Sequence, residues 1–207
     1  MAADLVGGDR FGGRFVVAMI TDGPEVGGDA VSRQIGTICE VRSAEQFADG
    51  RWMLLAVGVA RARLGDVDRT GPYALVEATE LAEPAGAGAA ELVPRVQAAL
   101  DDYLATVKRF VARTASVGQQ VQQDRDVTAS LDDILKPIHL PDDPVAASYA
   151  VGGVLQVELV RKQRLLEEPE AASRLRAELE LLRRETRLLD DGAMPTVPAS
   201  DLGYHPN

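Results

Sequence analysis

Cysteine is almost absent from this chain, since Cys39 is the only one among 207 residues. No internal disulfide can therefore form, and this favours a reducing compartment. Long apolar runs are also missing: no stretch approaches the ~20 apolar residues that a membrane-spanning helix needs. The first ten residues hold no basic segment followed by an apolar run, the pattern of a secretory signal peptide. These absences predict a cytoplasmic protein with no membrane partner.

Basic charge is scarce, with 22 lysines and arginines against 32 aspartates and glutamates, a net charge of -10 and a pI near 4.7. An acidic surface repels phosphate backbones, which counts against broad nucleic-acid binding. The remaining composition, 46% hydrophobic and 26% charged, is ordinary for a soluble globular protein with one core or two small ones.

Motifs for catalysis and for cofactor binding are also missing. The chain has neither a G-x-x-x-x-G-K-[ST] phosphate loop nor an H-E-x-x-H zinc motif. His139 and His205 are far apart, and neither has a metal-ligand spacing to Cys39. We therefore expect a non-enzymatic protein without cofactor or metal site. The alternative is a small enzyme whose site is assembled only in three dimensions.

One segment, residues 66–77, nearly fits the calcium-loop template with the sequence D-V-D-R-T-G-P-Y-A-L-V-E. Its flanks are typical of strands, whereas a calcium loop lies between helices. Asp66 and Asp68 are therefore interpreted as turn residues on a solvated loop.

The first half of the chain is typical of β structure. Apolar runs rich in strand formers predict strands at residues 15–20, 35–41, 51–64 and 73–81. Asp49-Gly50 predicts a hairpin with a type I′ turn, in which both central residues have positive φ. Gly58 within the third strand predicts a bulge or bend, and residues 65–72 are interpreted as a turn.

The second half is typical of helices. Apolar residues recur every three or four positions from Leu92, and Asp143-Pro144 has the form of a helix start. Helices are predicted at 92–111, at 131–135, from 144, at about 157–168 and after Pro169. The last carries a leucine stripe at positions 175, 179, 182 and 189. Strands followed by helices predict an α+β fold with a β unit at 1–82, a linker at 83–90, a helical bundle at 91–190 and a flexible tail at 191–207.

These features together resemble the N-terminal, substrate-binding domain of Lon proteases. The matching positions are Gly8-Asp9, Phe11-Gly12, Gly36-Thr37, Asp49-Gly50, Gly58, Arg61, Pro72-Tyr73, Lys162-Gln163, 165–167 and Arg174-Leu175. The resemblance covers residues 4–190 and implies a PUA-like β-barrel followed by a helical bundle. It also implies a non-catalytic role in binding unfolded or apolar segments of proteins, together with a protease or chaperone. The chain has no room for an ATPase or a peptidase, so a stand-alone member is expected.

The chain departs from the family pattern at its start. The family opens with a proline- and leucine-rich strand before its G-D-x-x-F-G segment, and Met1 falls inside that region. Either the start lies upstream of Met1, or the barrel lacks its first strand. Because PUA-like barrels elsewhere bind RNA, an RNA-binding module is a further alternative, which the acidic charge counts against.

Four side chains are candidates for binding a partner. Phe47 and Trp52 flank the predicted hairpin turn, where Trp52 either packs into the core or anchors a partner. Arg61 either holds a carboxylate or forms a salt bridge at the end of a strand. Tyr73 comes from the matching Pro72-Tyr73 pair. Cys39, between apolar neighbours, is interpreted as a small buried residue.

Overall fold

A computed structural model describes residues 1–7, 11–25, 29–117 and 137–192 of the chain. It divides into two compact units, Met1–Ala82 and the residues from Glu83 onward. The first unit is mainly β and the second is helical, which confirms the α+β prediction. The predicted short helix at 131–135 and nearly all of the predicted tail lie outside the described residues.

The first unit contains a short helix and six strands. They are α1 (Ala2–Gly7), β1 (Arg14–Val17), β2 (Ile20–Asp22), β3 (Val31–Ser32), β4 (Ile35–Gln46), β5 (Trp52–Asp68) and β6 (Leu75–Glu80). Four strands form an antiparallel sheet in the order β1-β4-β5-β6, and β2 pairs with β3. Within the described ranges the main sheet is open, with β1 and β6 at its edges, so the predicted barrel is not closed.

The β4–β5 hairpin forms where Asp49-Gly50 predicts it, but its turn type differs from the prediction. Positive φ occurs at Gly50 (88°) and not at Asp49. Phe47 N–H donates to Arg51 O at 2.8 Å and Gly50 N–H to Phe47 O at 2.9 Å. These bonds close a three-residue loop, which needs positive φ only at its last residue. Asp49 stabilises the loop by accepting hydrogen bonds from Arg51 N–H and Nε–H.

Strand β5 is longer than predicted because a bulge allows it to continue into residues that were predicted to form a turn. The register with β6 shifts between Leu64 and Val67, and the strand continues to Asp68 through the predicted turn. Asp68 then ends the strand by accepting hydrogen bonds from the backbone and hydroxyl of Thr70, which lower its pKa. The bulge predicted at Gly58 is confirmed, since β4 pairs with Gly58 and Ala60 and leaves Val59 as the extra residue.

The described residues of the second unit form four helices: α2 (Ala89–Val117), α3 (Pro144–Val154), α4 (Leu159–Glu167) and α5 (Ala171–Asp190). Asp143 caps α3 as predicted, because its side chain accepts a hydrogen bond from Ala146 N–H at 2.9 Å. The predicted apolar stripes of α2 and α5 are confirmed as core. Their buried members include Leu92, Val96, Leu100, Tyr103, Leu104, Leu175, Leu179, Leu182 and Leu189.

The segment predicted as a linker contributes directly to helix α5. Glu170 precedes that helix without a side-chain cap. Backbone carbonyls replace the cap, because Ala171 N–H donates to Pro84 O at 3.0 Å and Ala172 N–H to Ala85 O at 2.8 Å. Two of the first N–H groups of α5, which have no acceptor within the helix, are therefore satisfied by residues 84–85.

A buried arginine joins the helices of the second unit. The guanidinium of Arg174, in α5, lies 4.2 Å from the centre of the Tyr149 ring. Its hydrogen-bond acceptors are the carbonyls of Leu165 and Glu168, the hydroxyl of Ser148 and a carboxylate oxygen of Glu83, at 2.8–3.4 Å. Four of the five N–H groups of this buried guanidinium thus find acceptors, which are provided by α3, by α4 with its C-terminal cap, and by Glu83.

One turn further along α5, Glu178 is fully buried. Neither carboxyl oxygen has a hydrogen-bond partner within the described part of the chain. Desolvation raises the pKa of Glu178 to about 9, and the nearby charge of Arg174 opposes this rise only in part. The carboxyl group packs against α3, since a Cβ atom at Gly152 would lie in ordinary van der Waals contact, 3.5 Å from Glu178 Oε1.

Replacing Arg174 with methionine tests the importance of this network. The variant keeps apolar bulk but leaves the buried acceptors unpaired, so we expect it to lower the free energy of unfolding by about 3–5 kcal/mol. Urea denaturation followed by circular dichroism measures the change. Arg183→Met, on the exposed side of the same helix, is the control and should change stability by less than about 0.5 kcal/mol. Equal effects of the two variants would contradict this role.

Glu178 should make stability depend on pH. Its folded-state pKa is raised above the ordinary value of 4.5, so its stabilising contribution is complete below pH 4.5 and is lost as pH rises towards 9. Relative to Glu178→Gln, the wild type should lose up to about 1.4 kcal/mol of unfolding free energy per pH unit between pH 5 and 8. Denaturation curves across that range measure the difference. Exposed Glu180→Gln is the control, and parallel pH profiles for wild type and Glu178→Gln would refute the assignment.

Candidate functional site

The outer halves of β4 and β5 extend beyond the strands beside them. β1 pairs with β4 only at Thr37–Glu40, and β6 pairs with β5 only at Ala62–Asp68. Residues 42–46 and 52–60 therefore form a two-stranded ribbon, closed by the turn at 47–51. Each strand of this ribbon has a single partner strand among the described residues.

One face of the ribbon carries exposed apolar side chains. Phe47, Met53, Leu55 and Val57 are 41%, 55%, 62% and 47% exposed, and Val59 at the bulge is 40% exposed. These five residues are called the apolar row below. Alternate residues of a strand share a face, so the row is continuous along β5. Isolated surface hydrophobics are common, but a contiguous set usually marks an interaction site.

The apolar row continues the core face of the sheet. The register places Gly36 opposite Ala62, Ile38 opposite Ala60 and Glu40 opposite Val57. Ile38 and Ala62 are buried, and Val57 follows them on the same face. The face that forms the core near β1 and β6 thus continues along the ribbon, where its apolar side chains are exposed.

The outer edge of β5 is also open. From Trp52 to Ala60 the strand pairs with β4 on one side, and none of the described residues pairs with the other side. The opening ends at Arg61, whose carbonyl accepts a hydrogen bond from Leu81 N–H at 2.9 Å. Charged side chains and proline usually prevent an edge strand from pairing with another chain. Residues 52–60 contain neither.

Only part of the predicted partner-binding set lies on this surface. Phe47 belongs to the apolar row, with the Arg51 guanidinium 5.9 Å from its ring centre. Trp52 is half-buried on the opposite face, where it pairs with Gln46. Arg61 is only 3% exposed, and its guanidinium donates a hydrogen bond to Ala82 O at 3.4 Å. Tyr73 packs edge-on against Phe11, with ring centres 6.2 Å apart.

Sequence reasoning missed Met53, Leu55 and Val57. A half-exposed strand normally alternates apolar and polar residues, and this alternation identifies its solvent face. Residues 52–57 read W-M-L-L-A-V, which has no polar member and is typical of a strand buried on both faces. The signal lay in the partner strand instead, because Ser43 and Glu45 stand opposite Leu55 and Met53.

A small cavity lies elsewhere in the first unit. It has a volume of about 180 Å³ and a largely apolar lining that includes Leu5, Phe15, Tyr73 and Val76. Arg14 also lines it, with ion pairs to Glu40 and Glu80 at 3.6 and 3.7 Å. Ligand pockets for cofactors and drug-sized molecules are usually about 300–1,000 Å³. This cavity is therefore too small to serve as a pocket of that type.

The described side chains that could bind a metal or react with a substrate are dispersed or at least partly buried. In the described ranges, no cluster of three His, Cys, Asp or Glu residues is placed to hold a metal ion. Cys39 is partly buried, and this burial raises the pKa of its thiol. Glu178 has a strongly shifted pKa, which often marks a catalytic group, but its complete burial leaves no path for a substrate. None of the helices described is long and apolar enough to span a membrane.

Comparison with known proteins agrees with this architecture. A family model for the ATP-dependent protease La (LON) substrate-binding domain matches residues 14–184. Lon protease 2 of Bdellovibrio bacteriovorus is 22% identical over 167 residues, which are 81% of this chain and 19% of that protein. The chain thus spans about a fifth of the length of this curated relative.

The structural comparison shows the same fold. The solved N-terminal domain of a Mycobacterium avium complex Lon protease superposes with a TM-score of 0.52 at 21% identity. The match covers 83% of this chain and 78% of the solved one. Because the family model covers most of the residues, the chain belongs to the LON substrate-binding domain family.

Proposed function

We propose that this protein is a recognition module that binds unfolded or apolar segments of other proteins on its apolar row. The observation that carries the proposal is the exposure of Met53, Leu55 and Val57 on one continuous face. Family membership supports the same role, since the family is named for binding the substrates of an ATP-dependent protease. A bound segment would then be delivered to a protease or chaperone.

The energetics of the apolar row fit weak, reversible capture. Complete burial of a leucine, valine or methionine side chain contributes about 1.5–3 kcal/mol. Each row residue is roughly half-exposed already, so a partner gains about 1 kcal/mol at each position. Five positions give about 5 kcal/mol before the entropy lost on association is subtracted, so the apolar contacts alone support an affinity no tighter than about 0.2 mM. Such an affinity allows many different segments to bind and leave again.

The charges of the ribbon argue against the RNA-binding alternative. Arg42 contacts Glu40 at 2.9 Å and Arg51 contacts Asp49 at 2.8 Å. Both arginines of the ribbon are therefore neutralised by neighbouring carboxylates, whereas RNA binding needs an accessible basic surface.

Substitutions in the apolar row test the proposal. The probe is reduced, carboxymethylated α-lactalbumin, which remains unfolded, and binding is measured by fluorescence anisotropy with the full chain. Replacing both Met53 and Leu55 with serine should weaken binding roughly thirtyfold, because about 1 kcal/mol is lost at each of the two positions. Native α-lactalbumin should bind at least tenfold more weakly than the unfolded probe.

The matched control is Leu159→Ser, which removes an equally exposed leucine (54%) from helix α4. It should bind the probe as the wild type does. Since all three residues are exposed, thermal unfolding should show that every variant folds. Undiminished binding by the double variant, or an equal loss in the control, would refute the assignment of the site to the row.

A further inference from the structure

We propose that the captured segment binds as an additional β-strand along the outer edge of β5, between Trp52 and Ala60. This inference rests on the proposed function and specifies its geometry. An extended chain at this edge would hydrogen-bond to the β5 backbone while its alternate side chains lie beside Met53, Leu55 and Val57. Backbone pairing supplies affinity without regard to sequence, and the side chains on the row supply the preference for apolar residues.

The backbone of β5 directs hydrogen-bonding groups towards its outer edge. In an antiparallel pair, alternate residues direct their N–H and C=O groups towards the partner strand. About half of the residues between Trp52 and Ala60 therefore direct these groups away from β4, which is the only paired strand described there. The apolar row and the open edge thus belong to the same nine residues.

Two features set the length of the added strand. On one side, the hydrogen bond from Leu81 N–H to Arg61 O marks the point at which the chain after β6 already occupies the edge. The bulge at Val59 lies just before this point, and bulges disturb regular pairing. On the other side, β5 begins at Trp52 after the turn. The segment that fits is therefore about seven residues long.

Charge identifies the chemistry of the occupant. Glu45 stands opposite Met53 on the face of the apolar row, and the whole chain carries a net charge of -10. Two copies of this chain paired edge to edge would bring like charges together. A segment with apolar residues at alternate positions and lysine or arginine at its ends is attracted instead. We therefore assign the edge to cationic, apolar segments of other proteins and not to a second copy.

Backbone-methylated peptides test the pairing directly. The probe is the capped peptide Lys-Val-Thr-Val-Thr-Val-Lys, compared with two isomers N-methylated on the valine amides or on the threonine amides. A strand presents these two sets of N–H groups at opposite edges, so only one set can face β5. One isomer should bind at least tenfold more weakly than the parent peptide, and the other within threefold of it. Similar affinities for the two isomers, whether both retained or both lost, would overturn strand addition.

Two further measurements use the same peptide. Amide hydrogen exchange by NMR should slow at alternate residues of 52–60 when the peptide binds, and unchanged exchange would contradict pairing at β5. Replacing the terminal lysines with glutamate should weaken binding about tenfold at low salt, with a smaller difference at 0.5 M salt. Equal binding of the acidic peptide would overturn the charge assignment.

The outcomes separate strand addition from the proposed function. If unfolded α-lactalbumin binds and the Met53/Leu55 double serine variant weakens it, the proposed function stands even when both methylated isomers bind alike. If the unfolded probe does not bind, both proposals fail. Sedimentation of the free chain tests the second copy, because a dimer that the double serine variant converts to monomer would overturn our choice of occupant.

Discussion

The pairing of β4 with β5 is the interaction on which the β unit and its proposed site depend. It extends over the whole of β4 and most of β5, whereas β1 and β6 cover only the ends of the hairpin that lie far from the turn. A face that begins as core at Ile38 therefore ends as exposed surface at Met53. The difference in strand length places apolar side chains on the same stretch of chain as backbone groups that have no partner strand among the described residues.

In the helical unit, by contrast, charged and polar side chains are buried. Arg174 is tolerated in the interior since each neighbouring segment provides an acceptor, including Glu83 from the residues before α2. The neighbouring Glu178 has no hydrogen-bond partner among the described residues and is held neutral by desolvation. Buried polar groups destabilise the folded state unless their hydrogen-bond partners are in place. The acceptors around Arg174 therefore favour a single packing geometry of α3, α4 and α5.

Much of the fold could be predicted because its signals are local. The cap at Asp143, the leucine stripe of α5 and the bulge beside Gly58 each depend on residues close in sequence. Tertiary context decided the rest. The three-residue turn at Gly50 follows from the hairpin register, and the supposed linker is ordered by hydrogen bonds to α5, 87 residues away. The apolar row could not be identified for the same reason, since only the short β6 and the open sheet leave those side chains exposed.

An open, apolar strand edge is normally a liability, because it invites pairing with other copies of the same chain. Here the surrounding charge limits that risk. The net charge of -10 opposes self-association but attracts cationic segments. A native protein keeps its own edges paired and its apolar residues buried, so it offers little to this surface. An unfolded chain offers both backbone groups and apolar side chains. A surface that combines the two therefore distinguishes unfolded from folded proteins without reading a particular sequence.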